Sequence, residues 1–283
     1  MAMRLYSIAV YLFLYVPIGI IVLFSFNSGR HASDFQGLST QWYGKALSNP
    51  FVIESLTTSL IIAFSAAFLS SIMGTTAALA LQRMCGPMRA LFDGMIYVSI
   101  MVPGIVIGIA TLVALVSVFD LLNPIVAAIW PEGVKPPKLS LGFASVIAAH
   151  TLFTMSLVIV LVRARIAGMD RSLIEASQDL YATPWRTFRQ ITLPQIFPAI
   201  LAGFLLSFTF SFDDFIISFF VAGANTTLPI YVFASIRRGI TPEVNAIGTM
   251  VLAVSLTLLI TAQVLLQKKA PKNSKEGGPS PSP

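Results

Sequence analysis

The chain has a single cysteine, Cys85, and two histidines, His31 and His150, in 283 residues. One cysteine excludes an internal disulfide. The histidines are far apart and have no carboxylate at ligand spacing, so no metal site is legible and both read as structural or incidental. Charge is scarce as well: Asp, Glu, Lys and Arg make up 11% of the chain, against about 25% in soluble domains. No Gly-x-x-x-x-Gly-Lys-Ser/Thr run occurs, so any nucleotide must be held by another chain. Hydrophobic residues, at 56%, dominate, and a water-soluble domain is excluded.

A helix needs roughly 20 apolar residues to cross the hydrocarbon layer. Six stretches qualify, near 5–26, 52–82, 92–119, 141–163, 195–221 and 244–267. Their apolar positions run all round the helix, as lipid or a bundle interior requires. The expected fold is therefore all-α, a polytopic bundle of six transmembrane helices in one domain over 1–267, with a disordered tail over 268–283. The first stretch is too long for a signal-peptide core and lacks a small-residue cleavage site, so it reads as a retained crossing. The tail is rich in Lys, Gly, Ser and Pro. In the third stretch, Pro103 and Gly104 predict a mid-membrane kink or gate. The connection 120–140 reads as a loop with at most one short interfacial helix, and 222–243 as a turn able to dip back into the protein.

The net charge of +6 reads as topology rather than nucleic-acid affinity. With both termini cytoplasmic, twelve basic residues lie inside: Arg4, Arg83, Arg89, Arg163, Arg165, Arg171, Arg186, Arg189, Lys268, Lys269, Lys272 and Lys275. Six lie outside: Arg30, Lys45, Lys135, Lys138, Arg237 and Arg238. This obeys the positive-inside bias and places the polar loop 164–194 in the cytoplasm.

That loop is the most ordered-looking polar segment. Leu173–Leu180 reads as a short helix, followed by a break at Tyr181-Ala182. Thr183 then offers an N-cap and Pro184 a first helical position that needs no N–H. A second short helix runs to about Thr192, and Leu193-Pro194 turns the chain into the next crossing. Two short helices joined by a tight turn make a rigid knob. An ordinary basic loop would need none of these devices.

The run resembles the cytoplasmic signature loop of type I ABC importer permeases. Glu175, Ala176, Ala182, Phe188, Ile191, Leu193 and Pro194 fall where that family's pattern places them. The family's glycine is replaced by Tyr181 and its third small residue by Ser177. A glycine there usually supplies positive φ, and a bulky residue costs on the order of 1 kcal/mol. Either the turn differs locally or Tyr181 bears the strain. The resemblance implies an ATPase-coupling loop that also includes Asp179, Thr183, Pro184, Trp185 and Arg189. It further implies a second homologous permease subunit, two ATPase subunits that bind ATP and Mg, an extracytoplasmic substrate-binding protein, and no cofactor or catalysis in this chain. The location implied is the bacterial inner membrane.

Within the family, Tyr15-Val16-Pro17-Ile18-Gly19-Ile20, Ser25 to Arg30, Thr40-Gln41-Trp42-Tyr43, Ser207 to Asp214 and Pro242 to Ala246 look like the polyamine (spermidine/putrescine) importers, second permease subunit. That group usually carries an acid after the mid-membrane proline of the third crossing. Gly104 stands there in this chain, which keeps monoamines and amino-acid-like solutes open.

Asp213 and Asp214 carry weight without any resemblance. Pro194 to Asp213 spans roughly 28 Å of helix, which places the pair toward the outer side. Adjacent acids at that depth are costly unless they face water or a cation. They read as lining for a cationic substrate, or as a helix-end cap or partners of Arg237 and Arg238. Consecutive residues diverge by about 100°, so only one of them should face a lumen. Ser211, Trp42 and Tyr43 join them as pathway candidates, the aromatics for cation–π contact or as membrane anchors. The competing functions are an ion-coupled carrier, which lacks matching broken helices in inverted halves, and a membrane enzyme, which lacks a catalytic set.

Overall fold

The computed structural model describes residues 2–30, 34–131, 133–170, 172–239 and 241–268. The expected tail beyond Lys268, together with His31 and Arg171, lies outside the described residues. In chain order the helices are α1 (Ala2–Ser25), α2 (Gln41–Ser48), α3 (Pro50–Arg83), α4 (Gly86–Met101), α5 (Gly104–Ile129), α6 (Phe143–Ala167), α7 (Ser172–Asp179) and α8 (Pro184–Thr187). A π turn (Phe188–Thr192) leads into α9 (Leu193–Asp213), α10 (Ile216–Val221), α11 (Leu228–Arg238) and α12 (Pro242–Lys268). Among the described residues, α1, α3, α5, α6 and the continuous α8–α9 unit make five helices long and apolar enough to cross a membrane. The sixth expected crossing is α12, 27 residues long.

The centre of the bundle is α3, α6 and α9. One face of α3 is a column of small buried residues: Ala63, Ala66, Ala67, Ser70, Ser71, Gly74 and Ala78. Small side chains let membrane helices approach until backbones nearly touch, where dispersion replaces the missing hydrophobic force. The approach is tightest at Val158 of α6, which is fully buried. A methyl group on Gly74 of α3 would lie 2.7 Å from Val158 Cβ, and one on Gly203 of α9 would lie 3.3 Å from its methyls. Polar links cross the same seam. The Ser70 and Thr154 hydroxyls are 2.6 Å apart, and Thr154 also donates to the His150 carbonyl at 2.7 Å.

Two crossings are broken rather than bent. The stretch 92–119, expected as one kinked helix, is divided between α4 and α5. Val102 is held extended (ψ 132) because the Pro103 ring excludes the helical region for the residue before it. The stretch 195–221, expected as unbroken, ends at Asp213, and extended Asp214 (ψ 119) precedes α10. The breaks are neighbours. A Cβ on Gly104 would be 3.8 Å from Ile216 Cδ1, and one on Gly108 would press to 2.7 Å from Phe220, both on α10.

Other boundaries also move. α5 continues to Ile129 straight through Pro124, where a loop was expected. Apolar residues sustain the helix beyond the proline, and Asn123 pins the returning chain by bonds to the Leu139 N–H (2.8 Å) and carbonyl (3.1 Å). The connection 222–243 carries α11. The Leu228 N–H donates to Ser59 Oγ at 2.7 Å, roughly 14 Å along α3 from its first residue. That connection therefore reaches two to three turns into the bundle before α12 begins.

Candidate functional site: a two-helix knob and a broken-helix junction

At one end of the bundle, α7 and α8 form a compact knob. Asp170 Oδ1 accepts the Ser172 N–H at 2.9 Å, and that backbone bond, followed by the Ser172 side-chain bond, holds the Asp170 carboxyl below its ordinary pKa. α7 ends in a left-handed turn. The Ala182 N–H reaches the Ser177 carbonyl (3.1 Å) and the Tyr181 N–H the Gln178 carbonyl (2.9 Å), which is the paired closure of a Schellman motif. Its left-handed residue is Tyr181, at φ 58, the one non-glycine residue with positive φ among those described. The turn keeps the geometry a glycine would supply, and the tyrosine bears the strain.

Thr183 caps α8 by accepting the Arg186 N–H, with Pro184 at the first helical position, as expected from the sequence. Ser177 and Thr187 are buried and their hydroxyls lie 2.5 Å apart, which locks the two helices together. The expected turn at Leu193-Pro194 does not occur. The chain enters α9 without a corner, because Pro194 cannot donate to the carbonyl four residues back and the preceding turn widens into π geometry. Leu193 packs on the core cluster around Ile196. Arg165 ties the base by donating from Nε to the Gln195 carbonyl at 2.9 Å.

The knob turns apolar side chains outward: Leu180 is 82% exposed, Tyr181 96% and Trp185 69%. The Trp185 ring stacks on Phe188 with centroids 5.5 Å apart. Ala176, Asp179 and Arg189 are exposed beside them. Glu175 lines a cavity of about 780 Å³ between the knob and the helix ends, together with Arg83, Arg89 and Arg163. Asp93 of α4 pairs with both Arg89 and Arg163 at this end.

The second site is the junction of the two broken crossings. Ser211 and Asp214 meet there on His150, a residue that reads from the sequence as structural or incidental. His150 Nδ1 is 2.7 Å from Ser211 Oγ, and Nε2 is 3.1 Å from Ser218 Oγ and 3.2 Å from Asp214 Oδ2. The available signal was depth, since an ionisable residue inside an apolar helix is by default functional. Asp213 is exposed and has no hydrogen bond or ion pair among the described residues. Neither acid pairs with Arg237 or Arg238 among the described residues; Arg238 donates to Ser235 and Arg237 stacks on Phe233.

Trp42 and Tyr43 lie elsewhere, in the packing of α2. The Tyr43 hydroxyl is 2.6 Å from Ser25 Oγ at the end of α1, and its ring is 5.2 Å from that of Phe26. Trp42 is buried beneath Lys45, whose Nζ is 4.2 Å from the ring centroid.

This bundle, with two broken crossings and a locked two-helix knob at one end, is that of an ABC importer permease. The chain belongs to the family described as the binding-protein-dependent transport system inner membrane component, whose model matches residues 70–272. It is 35% identical over 264 residues to the spermidine/putrescine transport system permease protein PotC of Haemophilus influenzae, covering 93% of this chain and 95% of that one. It is 38% identical over 243 residues to the putrescine transport system permease protein PotI of Escherichia coli strain K12, covering 85% and 82%. Among solved structures, a bacterial ABC transporter that imports the acidic polysaccharide alginate superimposes with TM-score 0.74 at 16% identity, over 95% of each chain. That last likeness speaks to the fold alone.

Proposed function

We propose that this chain is a non-catalytic membrane subunit of an ATP-driven importer of polyamines, forming half of the solute pathway. The observation that carries the reading is the locked α7–α8 knob, which projects Leu180, Tyr181 and Trp185 from a rigid base. A partner's movement passes through a stiff element and is lost in a floppy one. The knob docks one of two ATPase subunits, which bind the ATP and Mg. A second homologous permease completes the pathway, and a binding protein delivers solute from outside. ATP binding draws the ATPases together and shifts the permeases between inward-facing and outward-facing states, which the partner must bind with different free energies.

The orientation proposed is knob inward, with both termini cytoplasmic. It is supported by Arg83, Arg89, Arg163, Arg165, Arg186 and Arg189 gathering at the knob end, and by Lys45, Arg237 and Arg238 lying on elements at the other. The polyamine assignment draws on the substrates named for PotC and PotI and on Asp213, which has no ion pair among the described residues. The chain is one membrane domain over 1–267, and Pro103-Gly104 is the gate that faces α10. Gly104 favours a second reading, a monoamine or amino-acid-like solute, because it puts no acid at that break.

The test is reconstitution of the complete complex in vesicles. Uptake of putrescine or spermidine should require ATP, the ATPase and the binding protein together. Full-speed uptake without the ATPase would overturn the reading.

A further inference from the structure

His150 sits inside an apolar helix yet uses both ring nitrogens. It is 1% exposed and lies roughly 10 Å along α6 from its first residue. Its two nitrogens reach opposite sides of the break in the fifth crossing. Nδ1 meets Ser211 Oγ in the last turn of α9 at 2.7 Å. Nε2 meets Asp214 Oδ2 at 3.2 Å, in the break, and Ser218 Oγ at 3.1 Å, on α10. A single tautomer satisfies the set: Nε2–H donates to the carboxylate while Nδ1 accepts from the Ser211 hydroxyl.

The same Asp214 oxygen is engaged twice. Oδ2 also accepts the Ser218 N–H at 2.9 Å and so caps the start of α10. The neighbouring Asp213 differs in every respect, being exposed and without a polar partner among the described residues. Two adjacent acids therefore stand in two environments, one tied to a buried imidazole and a helix start, the other open.

We propose that His150 divides the labour of the tandem acids: it fixes Asp214 in the junction and leaves Asp213 as the single carboxylate offered to a passing cation. His150 is then a positioning residue. It ties α9 to α10 across the break and so sets the direction of Asp213. The proposal rests on the reading that a cation crosses at this junction. A single free carboxylate engages one ammonium group at a time, so the solute's charge is met sequentially along the path.

The experiment uses the complete reconstituted complex, with labelled putrescine as the probe and the melting temperature of the detergent-solubilised complex as a second readout. Asp213→Asn should raise KM for uptake about ten-fold or more, the scale of losing a partly desolvated charge contact, without moving the melting temperature. Asp214→Asn should lower both the melting temperature and kcat, with KM changed less than about two-fold. His150→Asn replaces Nδ1 but not Nε2 and should behave like Asp214→Asn. His150→Gln carries its amide to the Nε2 position and should restore kcat. An Asp214→Asn shift in KM equal to that of Asp213→Asn would overturn the division, as would indistinguishable Asn and Gln variants of His150. If the unaltered complex imports only uncharged solutes, the cation reading and the role of Asp213 both fall, and the melting comparison still decides whether His150 and Asp214 hold the junction.

Discussion

Ser177 Oγ and Thr187 Oγ1 lie 2.5 Å apart in the buried seam between α7 and α8. Ser177 occupies a position where the family pattern has another small residue, and here its hydroxyl contributes a cross-link. Ser177→Ala leaves the Thr187 hydroxyl buried with its partner gone, at a cost of about 1–3 kcal/mol. Amide exchange across 172–187 should quicken, and ATP hydrolysis should continue with reduced uptake. Adding Thr187→Val removes the orphaned group, and replacing both partners can be nearly neutral. The double variant should recover most of the protection. A double variant as loose as the single would mean that the hydroxyl pair does not lock the knob.

Tyr181 tests the cost of a departure from the family pattern. At φ 58 it holds a conformation that costs an L side chain roughly 1–2 kcal/mol, yet its ring is almost wholly exposed. Tyr181→Gly should slow exchange at the end of α7 while weakening ATPase co-purification. Tyr181→Ala keeps the strained backbone and loses the ring, so it should weaken binding without slowing exchange. If glycine strengthens both the turn and the ATPase attachment, the ring makes no contact with the partner.

Much of this was legible beforehand, for local reasons. The cap at Thr183, the proline after it and the need for a left-handed residue at Tyr181 depend only on neighbours in sequence. The six crossings follow from length and apolarity. What stayed hidden depends on which helices touch. At the break in the fifth crossing only the acid pair Asp213-Asp214 gives a local sign, as a candidate helix-end cap, and Asp214 does cap α10; the other stabilising groups come from elsewhere: His150 on α6, and α5, which packs on α10. The expected breaks at Pro124 and at Pro194 are absent for one shared reason. A proline removes a single hydrogen bond, and a long apolar helix or a π turn absorbs that loss.

The packing of Val158 between two glycines gives a purely structural prediction. A methyl group on Gly74 would meet Val158 Cβ at 2.7 Å, closer than carbon atoms approach. Overpacking of this kind costs typically about 1–3 kcal/mol. Gly74→Ala should lower the melting temperature of the complex, and Val158→Ala added to it should recover only the share due to Val158 Cγ1, at 2.9 Å, since alanine keeps the Cβ. A Gly74→Ala complex that melts normally would show that α3 and α6 can separate freely.

Gly104 decides between the two solute readings. It opens α5 beside the junction, and a Cβ there would meet only Ile216, at 3.8 Å from Cδ1 and 4.0 Å from Cβ, so a side chain fits. A carboxylate in the first turn of a helix is also favoured by the helix dipole, by about 0.3–1 kcal/mol. Gly104→Asp should therefore be tolerated and should add a second free acid to the one Asp213 provides. For spermidine, KM should fall by roughly three- to ten-fold if one further ammonium is met, a gain near 1 kcal/mol. A monoamine has no second ammonium for the new acid to meet, so its KM should stay put. Equal changes for spermidine and a monoamine would place Gly104 outside the pathway, and the broken third crossing would then serve as a hinge alone.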